Sequence, residues 1–166
     1  YQLKAKVPGS DETQQATIDL PETFNYLIGL RVEHISAPQT FKAKFKRDAE
    51  HRLELDGLLK PDAKGDYLFR AITGWVPADS ANPNNDQRKK VLVIWRKLTG
   101  KPEEDNLVLD AWFTKQGYST QDAELDLIYV NGDNNLENLR TPEQSWKVRL
   151  IEEDFHRLMF AGTGAA

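Results

Sequence analysis

The clearest pattern in this chain is a run of apolar residues, Val91–Trp95, followed by a second largely apolar stretch, Leu125–Val130, interrupted by Asp126. Apolar stretches of that length predict buried strands, covered on both faces. Between them, Glu103–Gln116 carries Leu107, Leu109, Ala111, Trp112 and Phe113 and predicts a helix that Gly117 caps. Strand, helix and strand at this spacing form a βαβ unit, expected parallel and right-handed. Thr40–Arg47 has period two, with Phe41, Ala43 and Phe45 on one side and Lys42, Lys44 and Lys46 on the other. It predicts one half-buried strand.

Two further stretches have helical periodicity. Leu20, Phe24, Leu27 and Ile28 share a face, Asp19 and Glu22 match a capping box, Pro21 suits the first turn and Gly29 ends the helix. Near the C-terminus, Ile151, Phe155, Leu158 and Met159 fall at i, i+4, i+7 and i+8 and predict a helix over 152–160. Tyr1–Val7, Leu30–Ile35 and Tyr67–Trp75 read as strands, Trp146–Leu150 as an edge strand and Asn135–Leu139 as a helical turn. Pro8–Gln15, Pro77–Gln87 and Thr99–Pro102 read as turns or loops, and 161–166 as a frayed tail. No repeat or dividing linker interrupts residues 1–166. The expectation is a single α/β domain with a mixed sheet and a βαβ unit whose strands lie near 91–95 and 126–130. Its core is expected at Val91, Val93, Ile94, Leu127, Ile128 and Val130, closed by Phe24, Leu27, Trp112, Phe155 and Met159.

Composition narrows the functions available. Hydrophobic residues make up 39% and charged residues 29%, with four tryptophans, which is a globular and not a disordered composition. The net charge of −4 disfavours indiscriminate phosphate binding over the whole surface but leaves a local basic face open. The absence of cysteine removes disulfides, thiolate metal sites and Cys nucleophiles, and fits a cytosolic protein. No apolar run approaches the ~20 residues of a membrane span, and no signal peptide is recognisable. The chain opens on Tyr1 instead of Met, which we read as a fragment, a processed product or a chain lacking its start.

Several groups could carry chemistry. The loop Asn131-Gly132-Asp133-Asn134 follows a parallel strand, where ligands of α/β sheets gather. It can equally be a tight turn with Asp133 or Asn134 capping the next segment. Asp105, Asp110, Asp126 and Asp133 could hold Mg²⁺ for phosphodiester hydrolysis or serve as solvent-facing charge. His34, His51 and His156 have no ligand spacing. Lys42, Lys44, Lys46 and Arg47 could touch phosphates, or form a solvated sheet face or guarded edge, with Arg88, Lys89 and Lys90 elsewhere. Phe160–Gly164 matches F-x-G-x-G, but a cofactor loop of that kind needs a strand before it and a helix after it. A D/N/S-P-P-Y/F/W motif, a P-loop and a nucleophile elbow are absent.

Five blocks, LPETFNYLIGL (Leu20–Leu30), VLVIWR (Val91–Arg96), DNLVLDAWF (Asp105–Phe113), LIYVNGDN (Leu127–Asn134) and FHRLMF (Phe155–Phe160), resemble the C-terminal domain of bacterial adenine-specific DNA methyltransferases. They are most similar to the modification subunit of type III restriction-modification systems. The resemblance covers nearly the whole chain. It implies a parent enzyme of the bacterial cytoplasm that transfers a methyl group from S-adenosylmethionine to adenine N6 in a specific DNA sequence. It also implies a homodimer and, in type III systems, a helicase-nuclease restriction subunit as partner. The family's target-base and cofactor motifs lie upstream of the region matched here. No catalytic, cofactor or metal residue carries over, and the fragment is expected to bind no cofactor and to be inactive alone. It would serve assembly, subunit docking or DNA positioning. The alternative is a stand-alone metal-dependent phosphodiesterase using Asp126 or Asp133.

Overall fold

The computed structural model describes residues 20–78, 87–141 and 145–164. In chain order the elements are α1 (20–28), β1 (Arg31–Ile35), β2 (Gln39–Lys42), β3 (Phe45–Arg47), β4 (Leu53–Leu55), β5 (Lys60–Pro61), β6 (Tyr67–Pro77), β7 (Arg88–Arg96), α2 (Pro102–Lys115), β8 (Leu127–Val130), β9 (Val148–Leu150) and α3 (Ile151–Gly164). The architecture is α/β with a mixed seven-stranded sheet. Its order is β5-β2-β6-β7-β8-β9, and β1 pairs with the stretch of β6 beyond β2. β2, β6 and β7 run antiparallel, and β7, β8 and β9 run parallel.

The apolar runs explain the layering. Successive side chains of a strand point to opposite faces, so β7 and β8 divide their residues between two cores. Leu92, Ile94, Ile128 and Val130 pack with Val108, Leu109, Trp112 and Phe113 of α2. Val91, Val93, Leu127 and Tyr129 pack with Phe24 of α1 and Ile151 of α3. Trp112 anchors the first core by stacking on Phe69 at 4.6 Å while its indole N–H donates to Gln39 Oε1 at 3.0 Å. Phe24 anchors the second, edge-on to Tyr129 at 5.0 Å.

Glycine caps act as expected. Leu30 N–H bonds Asn25 O and Gly29 N–H bonds Tyr26 O, and the same pair of bonds recurs at Tyr118 to Phe113 O and Gly117 to Thr114 O. Both are six-to-one closures with glycine in the left-handed region, at φ +70° and +82°.

Four expectations need correction. The single strand over 40–47 is two, because the chain leaves the main sheet after Lys42 and β3 pairs with β4 in a separate two-stranded sheet. The alternation nevertheless holds, since Phe41, Ala43 and Phe45 all pack on the α2-side core. The helical turn at 135–139 does not form. Asn138 bonds both backbone groups of Val148, and Lys147 N–H bonds Leu139 O, which holds this segment alongside β9. α3 continues through Gly164, past the expected end at Phe160. Of the expected core, Met159 is 38% exposed, and Leu27 and Phe155 are only partly buried. The expected strand at Tyr1–Val7, the cap Asp19 and most of the loop 77–87 lie outside the described residues.

Candidate functional site

The carboxyl ends of β7 and β8 are where a parallel pair of strands presents ligands in this class of fold. The residues found there are Arg96, which closes β7, and the turn after β8. Arg96 is 94% buried, its relative exposure being 6%. Its backbone N–H donates to Asn131 Oδ1 at 2.9 Å, and its carbonyl accepts from Asn131 Nδ2 at 2.8 Å. The guanidinium donates from Nε to Asn131 O at 2.9 Å, from Nη1 to Asp105 O at 3.3 Å and Asn106 Oδ1 at 3.1 Å, and from Nη2 to Asp133 O at 2.9 Å. Burial pushes the guanidinium below its usual value, and the carboxylates of Asp105, Glu152, Asp110 and Asp133 pull it back. An arginine remains charged under such pressure.

The surrounding groups are equally occupied. Asp105 accepts from Thr99 Oγ1 at 2.6 Å and Thr99 N–H at 3.0 Å, tying the start of α2 to the turn before it. Glu152, in the first turn of α3, accepts the Gly132 N–H. Asn134 bonds Gly132 O and the Leu136 N–H, so it caps a turn, although no helix comes after it. Asn131 is therefore a buried clamp on β7, and Asp133 contributes its carbonyl to the network while its residue is exposed to solvent. One arginine ties together β7, α2 and the turn after β8. Polar atoms already paired in this way are poor ligands, because recruiting them breaks bonds that are costly to leave unmade.

Gly132 makes the turn possible. Its φ is +82°, and a Cβ there would lie 3.1 Å from Arg96 Nη2 and 3.2 Å from Leu98. Leu98 is half exposed and can move, whereas Arg96 cannot. Gly132→Ala is expected to destabilise the fold by about 2 kcal/mol, from left-handed strain plus crowding, read as a lower thermal midpoint.

The carboxylates do not assemble. Asp126 accepts the Lys90 N–H at 2.8 Å at the amino end of β8, and Asp133 lies past its carboxyl end. The intervening strand separates them by roughly 16 Å. Among the described residues no three His, Asp or Glu side chains are grouped to hold a metal ion. Asp110 lies partway along α2, and burial raises its carboxyl above the ordinary value, with Arg96 opposing. A raised folded-state value means the ionised form burdens the native state, and that burden grows as pH rises above the ordinary aspartate range. Asp110→Asn should therefore raise stability at pH 7, and the gain should vanish below about pH 4, measured by urea unfolding at both pH values.

A second polar cluster lies on the other face. Asp154, 4% exposed, accepts from Tyr129 Oη at 2.7 Å and pairs with Arg149 at 3.2 Å and Arg157 at 3.4 Å. Burial, then the Asp154 charge, raises the Tyr129 phenol well above its ordinary value. A tyrosine shifted upward stays protonated at neutral pH and holds structure instead of taking up protons.

The basic stripe is accompanied by acids. Lys42 pairs with Asp62 at 3.4 Å, Lys46 with Glu54 at 3.8 Å and Asp56 at 4.0 Å, and Arg47 with Glu103 at 3.9 Å. Lys44 is exposed. These pairs reduce the stripe's net field on a phosphate. His34 and His51 are exposed, as is His156, whose ring lies tilted against that of Phe160 with centroids 4.5 Å apart. Phe160–Gly164 is helical, which is not the strand-to-loop geometry of a cofactor turn.

Arg96, Asn106 and Glu152 do not stand out in the sequence as candidate site residues. The available signal was a cation placed directly after the apolar run Val91–Trp95. Such a charge must either reach water or find a built partner set.

Comparison with protein-family models, with curated proteins and with solved structures gives no match to this chain.

Proposed function

We propose that this chain is a non-catalytic C-terminal domain of a site-specific DNA adenine-N6 methyltransferase, similar to the modification subunit of type III restriction-modification systems. In that setting it serves assembly, subunit docking or DNA positioning in the bacterial cytoplasm. Its partners would be the remainder of the methyltransferase, a second copy, a helicase-nuclease restriction subunit, and DNA through the parent enzyme. S-adenosylmethionine would bind the parent and not this domain.

One observation carries the reading. The polar residues of three resembling blocks converge on one another inside the fold. Arg96 comes from VLVIWR, Asp105 and Asn106 from DNLVLDAWF, and Asn131 and Asp133 from LIYVNGDN. The remaining blocks are α1 and α3, which cover the opposite face. Their shared pattern is thus accounted for by packing and internal hydrogen bonding, the behaviour of a supporting domain. The alternative of a stand-alone phosphodiesterase needs Asp126 or Asp133 to work with partner carboxylates, and the strand between them favours neither.

The test is methyl transfer from labelled S-adenosylmethionine. The protein encoded by the natural gene should methylate adenine N6 in duplex DNA, and this chain by itself should neither methylate DNA nor bind S-adenosylmethionine in a calorimetric titration. Micromolar affinity in the isolated chain, or a natural gene lacking target-base and cofactor motifs upstream, would overturn the proposal.

A further inference from the structure

At the opposite end of the parallel strands from Arg96 lies a hollow of about 360 Å³. Its lining includes Lys89 near the start of β7, Asp126 just before β8, Lys147 just before β9, and Gln121, Arg140 and Thr141 from the connecting segments. Lys89, Arg140 and Lys147 are the cations of that lining, and its carboxylate, Asp126, accepts the Lys90 N–H. The volume falls within the range of small-molecule sites, which begins at about 300 Å³.

Lys147 is the telling residue. It is 92% buried, its relative exposure being 8%. Its ammonium donates to Asp122 O at 2.7 Å, and no ion pair holds it among the described residues. A carbonyl offers a dipole and no counter-charge. An ammonium has three donors, and a buried cation without an opposite charge is costly. The group is therefore poised for an anion that enters the hollow. Beside it, the exposed Arg140 guanidinium sits 4.3 Å from the centroid of the Trp146 ring, a cation–π contact at the rim. Planar guanidinium and point-charge ammonium together match the oxygens of a phosphate.

We propose that this hollow is a phosphate-binding site, with Lys147 as the buried counter-charge and Arg140 as the donor at the rim. The phosphate belongs either to a free nucleotide or to a DNA backbone. The phosphate chemistry stands apart from the methyltransferase reading, and only the assignment to DNA rests on that reading. In a supporting domain, a site of this kind would position duplex without reading its sequence.

The experiment is a titration of this chain followed by ¹H–¹⁵N NMR shifts, with inorganic phosphate, dAMP and a short DNA duplex as separate probes. Saturable shifts at residues lining the hollow are expected with at least one probe. Arg140→Gln, at an exposed position, and Lys147→Met, which keeps the buried stem, should each weaken that binding by about tenfold or more, the loss of a charge-assisted hydrogen bond. Tighter binding of the duplex than of dAMP, lost in both variants, supports the DNA assignment. Binding of phosphate and dAMP but not duplex supports the site and overturns its assignment to DNA. Absence of saturable shifts with every probe up to about 10 mM overturns the site, as does binding that Arg140→Gln leaves intact. Because the readout is binding to this chain, a negative result is separable from loss of methylation in the parent enzyme.

Discussion

Val93→Asp is expected to yield a chain that does not fold. Val93 is fully buried at the centre of the sheet, in register with Ile72 of β6 and Tyr129 of β8, and it packs in the cluster with Phe24 and Ile151. A carboxylate there would have to be neutralised or lie unpaired in an apolar layer, a cost of several kcal/mol on top of the lost packing. Domains have only about 5–15 kcal/mol of stability to lose. Val93→Ala is the control for packing, expected to cost about 2–3 kcal/mol with the fold retained. Far-UV circular dichroism and thermal melting distinguish the two. A cooperative, unshifted melt for Val93→Asp would mean that β7 does not lie between two packed layers.

The two-layer burial of β7 was legible because a strand covered on both faces has no polar positions to lose. The same logic exposed β8, and the spacing between them required a crossover helix. α1 and α3 were legible because a helix against one face of a sheet must carry apolar residues at 3.6-residue spacing. The break between β2 and β3 was not legible, because period two reports which face a residue takes and says nothing about which strand it pairs with. β4 and β5 are three and two residues long and leave no periodic trace. The lock around Arg96 was half visible. The turn at Asn131–Asn134 stood out from its amides and glycine, but its partner lies 35 positions away, and local pattern carries no information about such a pairing. The hollow near Lys147 was invisible for the same reason, since Lys89 comes from β7 and Arg140 and Lys147 from the distant connection between β8 and β9.

Arg96→Ala is the second large effect, an expected loss of about 3–5 kcal/mol in urea unfolding. Removing the guanidinium strips four donor contacts at once, three of them buried, and leaves Asn131 O, Asp105 O, Asn106 Oδ1 and Asp133 O to find new partners. Arg96→Lys separates the roles of charge and shape. If the positive charge among Asp105, Glu152, Asp110 and Asp133 were what mattered, lysine would restore most of the stability. If the fork geometry matters, lysine restores little, because a compact ammonium cannot meet four oxygens spread along three directions. The bond pattern supports the second outcome: all four acceptors are uncharged oxygens, three of them backbone carbonyls fixed by the strand turn and the start of α2. A catalytic arginine would behave in the opposite way, with stability nearly unchanged on truncation and activity lost. An unshifted urea midpoint in Arg96→Ala would therefore turn the carboxyl end of the sheet back into a candidate site for chemistry, and would remove the observation on which the supporting-domain reading rests.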